Sequence, residues 1–129
     1  MPGEDRVEQG VRVTHRLWGR TRGEKAQKAL ETLNPRFREF VNQGFSLYTG
    51  SALDPKTRSL CTLAALIVLG HEEEVKLHVY GALNNGATQE EIEELLMQMS
   101  VYGGVPVAIN AWAVARRVFA KYQRPDDLP

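Results

Sequence analysis

The residues with the most chemistry in this chain lie in one short stretch, "HEEEVKLHVYGALNNG", residues 71–86. It reads as a helix with an acidic start and an apolar stripe, and His78 interrupts the stripe. At ~100° per residue, Glu74 falls at about 300° and His78 at about 340° from His71, so all three share one side. Val75 and Ala82 lie on the same face. An apolar face with a few polar groups set into it is how an enclosed small-molecule site is built.

Three readings of this cluster stand open. In the first, Glu74 complements the helix dipole and pairs with His78 at i,i+4, and His78 is a half-buried structural histidine. In the second, His71, Glu74 and His78 hold a metal ion. Seven residues put His71 and His78 about 10 Å apart along the axis, which is too far for one ion to take all three. No HExxH pair or clustered partner accompanies them. In the third, the cluster is an acid–base or carboxylate-handling site in which Glu74 tunes His78.

The elements that must position these groups are helices. Val7, Val11, Val13 and Leu17 mark a helix over 4–18, and a shorter one is expected over 24–33. Pro35 opens "PRFREFVNQGFSLY", with Phe37, Phe40, Val41 and Leu47 expected inward. Asp54-Pro55 starts a helix over 55–69, which is apolar on every face and so is expected to be buried. Thr88 and Glu91 have capping-box spacing ahead of the stripe Ile92, Leu95, Leu96, Met99 and Tyr102. Pro106 opens a last helix rich in alanine, and the tail, 123–129, is expected to fray. The fold class is all-α: one domain over 1–129, with six or seven helices.

Composition removes several function classes. Sixteen basic residues balance sixteen acidic ones over 129 residues, so nothing draws the chain to nucleic acid or an anionic membrane. The nearly apolar run "LCTLAALIVLG" (60–70) is too short to span a bilayer, which needs about 20 residues. Cys61 is the only cysteine, so no internal disulfide or thiolate cluster can form. The start, "MPGEDRVEQG", has no signal-peptide pattern, and a soluble cytoplasmic protein is expected. Several helices are apolar on more than one face, which points to a homo-oligomer.

"LDPKTRSLCTLAALIVLG" followed by "EVKLHVYGALNNGATQEEIEELLMQMSVYGGVPVAINAWAVARRVF" resembles the carboxymuconolactone decarboxylase family over 53 to about 119. "EQGVRVTHRLWG" resembles the family's first helix more loosely. The resemblance implies an alkylhydroperoxidase D-like helical fold assembled as a trimer or hexamer. One branch of the family uses a CxxC dithiol, a histidine and a glutamate. Those positions fall here on His71 and Glu74 for the cysteines, His78 for the histidine and Ser59 for the glutamate. Only the histidine survives, so dithiol peroxidase chemistry is excluded by residue type, and Cys61 on its apolar helix is expected to be an inert core thiol.

The other branch resembles the decarboxylase that converts γ-carboxymuconolactone to β-ketoadipate enol-lactone and CO2 in protocatechuate breakdown. That resemblance implies a small carboxylated lactone as substrate and no cofactor or metal. His78 and Glu74 become the catalytic candidates, with Arg58 in "KTRSL" gripping a substrate carboxylate, His71 at the edge of the pocket and Tyr102 either lining the pocket or packed in the core. Arg58 can equally be a surface salt-bridge residue. The chain departs from the subgroup where a segment like "WGEIWTRPGL" is usual: here it reads "GFSLYTGSAL", with Ser46, Tyr48 and Gly50 in place of Glu, Trp and Arg. Thr14 and His15 stand where paired arginines are frequent. A different lactone or keto acid as substrate, or a non-catalytic oligomeric binding protein, therefore remains an alternative.

Overall fold

The computed structural model describes residues 2–129, with side chains from Arg6 onward. The described chain holds seven α-helices and one 3-10 turn, in the order α1 (Pro2–Trp18), α2 (Arg20–Leu33), α3 (Pro35–Phe45), the turn Ser46–Thr49, α4 (Pro55–Leu69), α5 (Glu72–Asn84), α6 (Gln89–Gly103) and α7 (Val105–Lys121). They gather into two compact units, one of the described residues up to 55 with 125–129 and the other of 56–124.

In the first unit α1, α2 and α3 pack against one another. Leu17 and Val13 are buried, and Trp18 meets the Phe45 ring edge-on at 5.9 Å. The centre of the unit is polar. Gln27 Nε2 donates to Asn42 Oδ1 (2.8 Å) and Thr14 Oγ1 (3.2 Å), and Asn42 Nδ2 donates back to Gln27 Oε1 (2.7 Å). Asn42 also donates to the Arg38 carbonyl, and Thr14 to the Val11 carbonyl. Every group in this triad has a partner, which is the condition for burying amides without a large penalty.

The triad sets the rotation of α3 and corrects one expectation. Asn42 is fully buried, whereas Phe37, Phe40 and Leu47 are 44%, 69% and 68% exposed. An apolar stripe in the sequence does not identify the inward face when a neighbouring helix offers paired amides instead. Close approach of α1 and α3 requires Gly10, since a Cβ there would collide with the backbone carbonyl of Asn42. Asn34 caps α3, its Oδ1 accepting from the amides of Arg36 (2.8 Å) and Phe37 (3.1 Å). The tail leaves the helical path after Lys121, but it is held at Asp127. The Asp127 carboxylate accepts from the Thr21 amide (2.7 Å) and its carbonyl from the Arg20 amide (3.1 Å), filling the start of α2.

In the second unit α7 packs against α5 and α6. Leu63 and Ile67 of α4 join Val75, Val79 and Ala82 of α5, Ile92 and Leu96 of α6, and Ala111, Val114 and Ala115 of α7 in one core. The capping box at α6 forms as its spacing predicts: Thr88 Oγ1 accepts from the Glu91 amide (3.0 Å) and Glu91 Oε1 from the Thr88 amide (2.9 Å). Glu91 also takes Lys56 Nζ at 3.0 Å, tying the start of α4 to the start of α6. Gly104, at φ 98°, makes the turn into α7, a conformation that residues with a Cβ rarely adopt.

α4 differs from its expectation. Ser59, Leu63 and Ile67 are its buried positions, while Cys61, Ala65, Val68 and Leu69 are exposed. The helix is apolar all round, yet only one side of it meets this unit's core.

Candidate functional site

α5 forms because three glutamates at its start complement the helix dipole and a run of good core residues follows. Its inward face carries Val75, His78, Val79, Ala82 and Asn84. His78 is 8% exposed, among side chains that cannot solvate a charge. Burial lowers its pKa from 6.5 to about 4, so at neutral pH the imidazole is uncharged. A carboxylate close enough to dominate would raise the pKa; the cause here is burial, which lowers it.

The other candidates are placed as follows. Glu74 is exposed in the first turn of α5. His71 is the exposed N-cap of that helix, with no side-chain capping bond. Arg58 is half-buried on α4. Tyr102 is 75% exposed in the last turn of α6. The chain by itself therefore encloses His78 and half-covers Arg58, leaving Glu74, His71 and Tyr102 at the surface.

Next to Arg58, the wholly buried Ser59 accepts a hydrogen bond from Asn85 Nδ2 (2.9 Å), which ties this level of α4 to the end of α5. Asn85 lies seven residues beyond His78, or about 10 Å along the axis. Arg58 thus stands near the C-terminal end of α5, while Glu74 stands one turn to the N-terminal side of His78.

Sequence reasoning read "NNG" only as a helix stop. In the fold, Asn84 Oδ1 accepts from the Tyr122 hydroxyl (2.7 Å), and Tyr122 packs edge-on against Tyr80 at 5.7 Å. Tyr122 and Asn84 are 38 positions apart, and no short-range pattern links them. The positions that depart from the decarboxylase subgroup are also explained in part: Thr14 belongs to the buried amide triad, Ser46 is buried with its hydroxyl on the Gln43 carbonyl, and the His15 ring lies where a Cβ on Gly23 would collide. These side chains are used within the first unit.

Cys61 is exposed rather than a core thiol, because it faces away from the Ser59–Leu63–Ile67 side of α4. Among the described residues no three His, Cys, Asp or Glu side chains are grouped as a metal would need, and no helix is long and apolar enough to cross a membrane. An open groove of about 700 Å³ lies in the first unit, between Val7, Val11 and Arg12 of α1 and Arg38, Glu39 and Gln43 of α3; none of the candidate residues lines it.

Comparison with known proteins gives a consistent answer. A 4-carboxymuconolactone decarboxylase of Acinetobacter baylyi is 32% identical over 121 residues, covering 92% of this chain and 90% of its own length. A nitrosuccinic acid decarboxylase, npaB, of Metarhizium robertsii is also 32% identical, over 135 residues, covering 93% of this chain and 90% of its own length. A 15.0 kDa protein from the nqo9-nqo10 intergenic region of Paracoccus denitrificans is 40% identical over 76 residues, 57% of each chain. With the profile of the family matched over residues 35–117, a span that contains α3 to α6 and most of α7, the chain belongs to the carboxymuconolactone decarboxylase family.

Proposed function

We propose that this chain is a carboxy-lyase that removes CO2 from a small carboxylate whose departing group sits on a carbon conjugated to an electron-accepting oxygen function. The observation that carries this reading is the buried, uncharged His78 on the family-matched helix α5. In γ-carboxymuconolactone the C–C bond to the carboxylate breaks and its electron pair flows through the C=C into the lactone carbonyl. The resulting dienolate oxygen needs a hydrogen-bond donor, and a proton then adds at carbon to give the enol-lactone. The atoms balance with CO2 as the leaving group, and the step calls on no external oxidant or reductant.

A neutral imidazole suits the donor role. It offers an N–H to the growing oxyanion within a site of low dielectric, where such a bond is worth far more than in water. As an imidazolium acid it would be mostly absent at neutral pH, since its pKa lies near 4. The proton therefore comes from another source, and Glu74, exposed one turn away and open to exchange with solvent, is the group to which we assign the relay. Arg58 holds the carboxylate that is retained or lost, through its planar fork. His71 and Tyr102 border the entrance.

A second reading has its own support. The nitrosuccinic acid decarboxylase matches at the same identity and almost the same coverage as the lactone enzyme. In nitrosuccinate the carboxylate shares a carbon with a nitro group, so loss of CO2 delivers the electron pair to nitro oxygens as a nitronate. The site requirement is the same, a donor facing a developing oxyanion.

The test is turnover of γ-carboxymuconolactone, followed by absorbance, and of nitrosuccinate, followed by CO2 release, with the wild type beside His78→Gln. Turnover of either acid that falls about 100-fold or more in the variant supports the donor role. Turnover unchanged in a folded His78→Gln protein would remove it. No turnover of either acid, with ligand-induced stabilisation, would favour a binding protein.

A further inference from the structure

α5 ends on two asparagines whose side chains go to different elements. Gly86, at φ 97°, closes the helix: its amide donates to the Leu83 carbonyl (3.1 Å), and the Ala87 amide to the Ala82 carbonyl (2.9 Å). Asn84 and Asn85 stand in this closing turn, about 100° apart around the axis. Asn84 is buried, and its Oδ1 accepts from the Tyr122 hydroxyl at 2.7 Å. Asn85 Nδ2 donates to the wholly buried Ser59 hydroxyl at 2.9 Å. One turn of backbone therefore carries a bond to the segment after α7 and another to α4.

The Tyr122 end of this path is anchored. The chain leaves α7 at Tyr122 with extended backbone (φ −63°, ψ 129°), and the half-buried ring stands edge-on to Tyr80 at 5.7 Å. Tyr80 and Asn84 are one turn apart on α5, so the ring rests on one and the hydroxyl reaches the other. Arg124 Nη1 adds a longer bond, 3.4 Å, to the Asn84 carbonyl. The Ser59 end matters because of its neighbour. Arg58 precedes Ser59 on α4, and fixing Ser59 fixes the origin of the Arg58 side chain. A guanidinium fork grips a carboxylate well only when its base is held, since a misplacement of about 1 Å weakens such contacts severely.

We propose that Tyr122 is a positioning residue for Arg58, acting through Asn84, the closing turn of α5, Asn85 and Ser59. The inference rests on the reading of Arg58 as the carboxylate grip and deepens it: affinity for the substrate anion is set in part from the C-terminal segment. Without the hydroxyl, Asn84 loses a donor, the closing turn loosens, and Ser59 and Arg58 are held less firmly. His78 lies nearly two turns back on α5, off this path, so the chemical step is spared.

The experiment compares the full-length wild type with Tyr122→Phe, Ser59→Ala and the double variant. Each single change removes one hydroxyl and little else. Amide hydrogen exchange, followed by mass spectrometry, reads the path without turnover. Tyr122→Phe is expected to quicken exchange about tenfold in residues 84–88 and also in 56–63, with 111–118 unchanged. Steady-state kinetics with γ-carboxymuconolactone and nitrosuccinate reads the consequence. KM is expected to rise about tenfold in each single variant with kcat within about twofold, and the double variant to be no worse than either, since both break one path. Faster exchange confined to 84–88, an unchanged KM in Tyr122→Phe, a fall in kcat in place of the rise in KM, or effects on KM that multiply in the double variant would each overturn the proposal. Should Tyr122→Phe not fold, Ser59→Ala must quicken exchange at 84–88 from the other end, and its failure to do so overturns the proposal equally. A wild type that turns over neither acid would remove the decarboxylase reading. Exchange in 56–63 then decides by itself: quickened, it upholds the path from Tyr122 to α4, and unchanged, it ends it.

Discussion

Acid should destabilise this protein through His78 in a way that a single substitution removes. In the unfolded chain the imidazole titrates near 6.5, and in the folded protein burial lowers this to about 4. Between those values the unfolded state binds a proton that the folded state does not, so stability rises with pH across this window. The contribution is fully present above pH 6.5 and is lost as pH falls toward 4. Two and a half units correspond to about 3 kcal/mol in total, of which about 2 kcal/mol is already gone at about pH 5.

The assay is urea unfolding at a series of pH values, at one fixed protein concentration so that assembly contributes equally. His78→Gln replaces the imidazole with a side chain that does not titrate. The difference in unfolding free energy between wild type and variant cancels the carboxylates common to both. That difference should shift against the wild type by about 2 kcal/mol between about pH 7.5 and pH 5. A difference that stays flat would mean that His78 takes up its proton in the folded state as readily as in the unfolded one. The buried, neutral donor would then be wrong, and the decarboxylation reading would lose its central group.

Other expectations follow from named contacts. Activity that depends on a neutral His78 should not decline from about pH 6 to pH 8 on that residue's account, whereas a charged acid would lose rate tenfold per unit above its pKa; the pH profile of kcat/KM distinguishes the two. Gly10→Ala forces a Cβ onto the Asn42 carbonyl and should cost about 1–3 kcal/mol, read as a lower urea midpoint. Asn42→Leu strips Gln27 of both its bonds to that amide and should cost about 1–3 kcal/mol, more than Phe40→Ala on the exposed side of the same helix. Cys61→Ser should leave turnover unchanged; loss of activity in that variant would indicate thiol chemistry.

Much of the architecture was legible one helix at a time. Pro55–Leu69 begins and ends where Asp54-Pro55 and Gly70 place it, and Thr88 with Glu91 opens α6 as their spacing requires. The inward placement of His78 follows from its spacing with Val75 and Ala82. α2 begins earlier than composition suggests, at Arg20, because its first amides are satisfied from 106 positions away by Asp127. The inward face of α3 was misread for a related reason: Phe37 and Phe40 look like core until Gln27 and Thr14 are seen to hold Asn42 inside.

The sequence by itself determined the helical class, most of the helix boundaries, the family and the loss of the dithiol, since each depends on residues near one another or on residue type alone. Only the tertiary structure decided that His78 is dry enough to stay neutral, that Cys61 and Tyr102 face outward, and that an amide triad centres the first unit. The physical reason is the same in each case. Periodicity gives the angle of a side chain around its own helix, but what lies opposite that angle is a property of the packed neighbours, and a helix apolar on every face gives no local sign of which side they will cover.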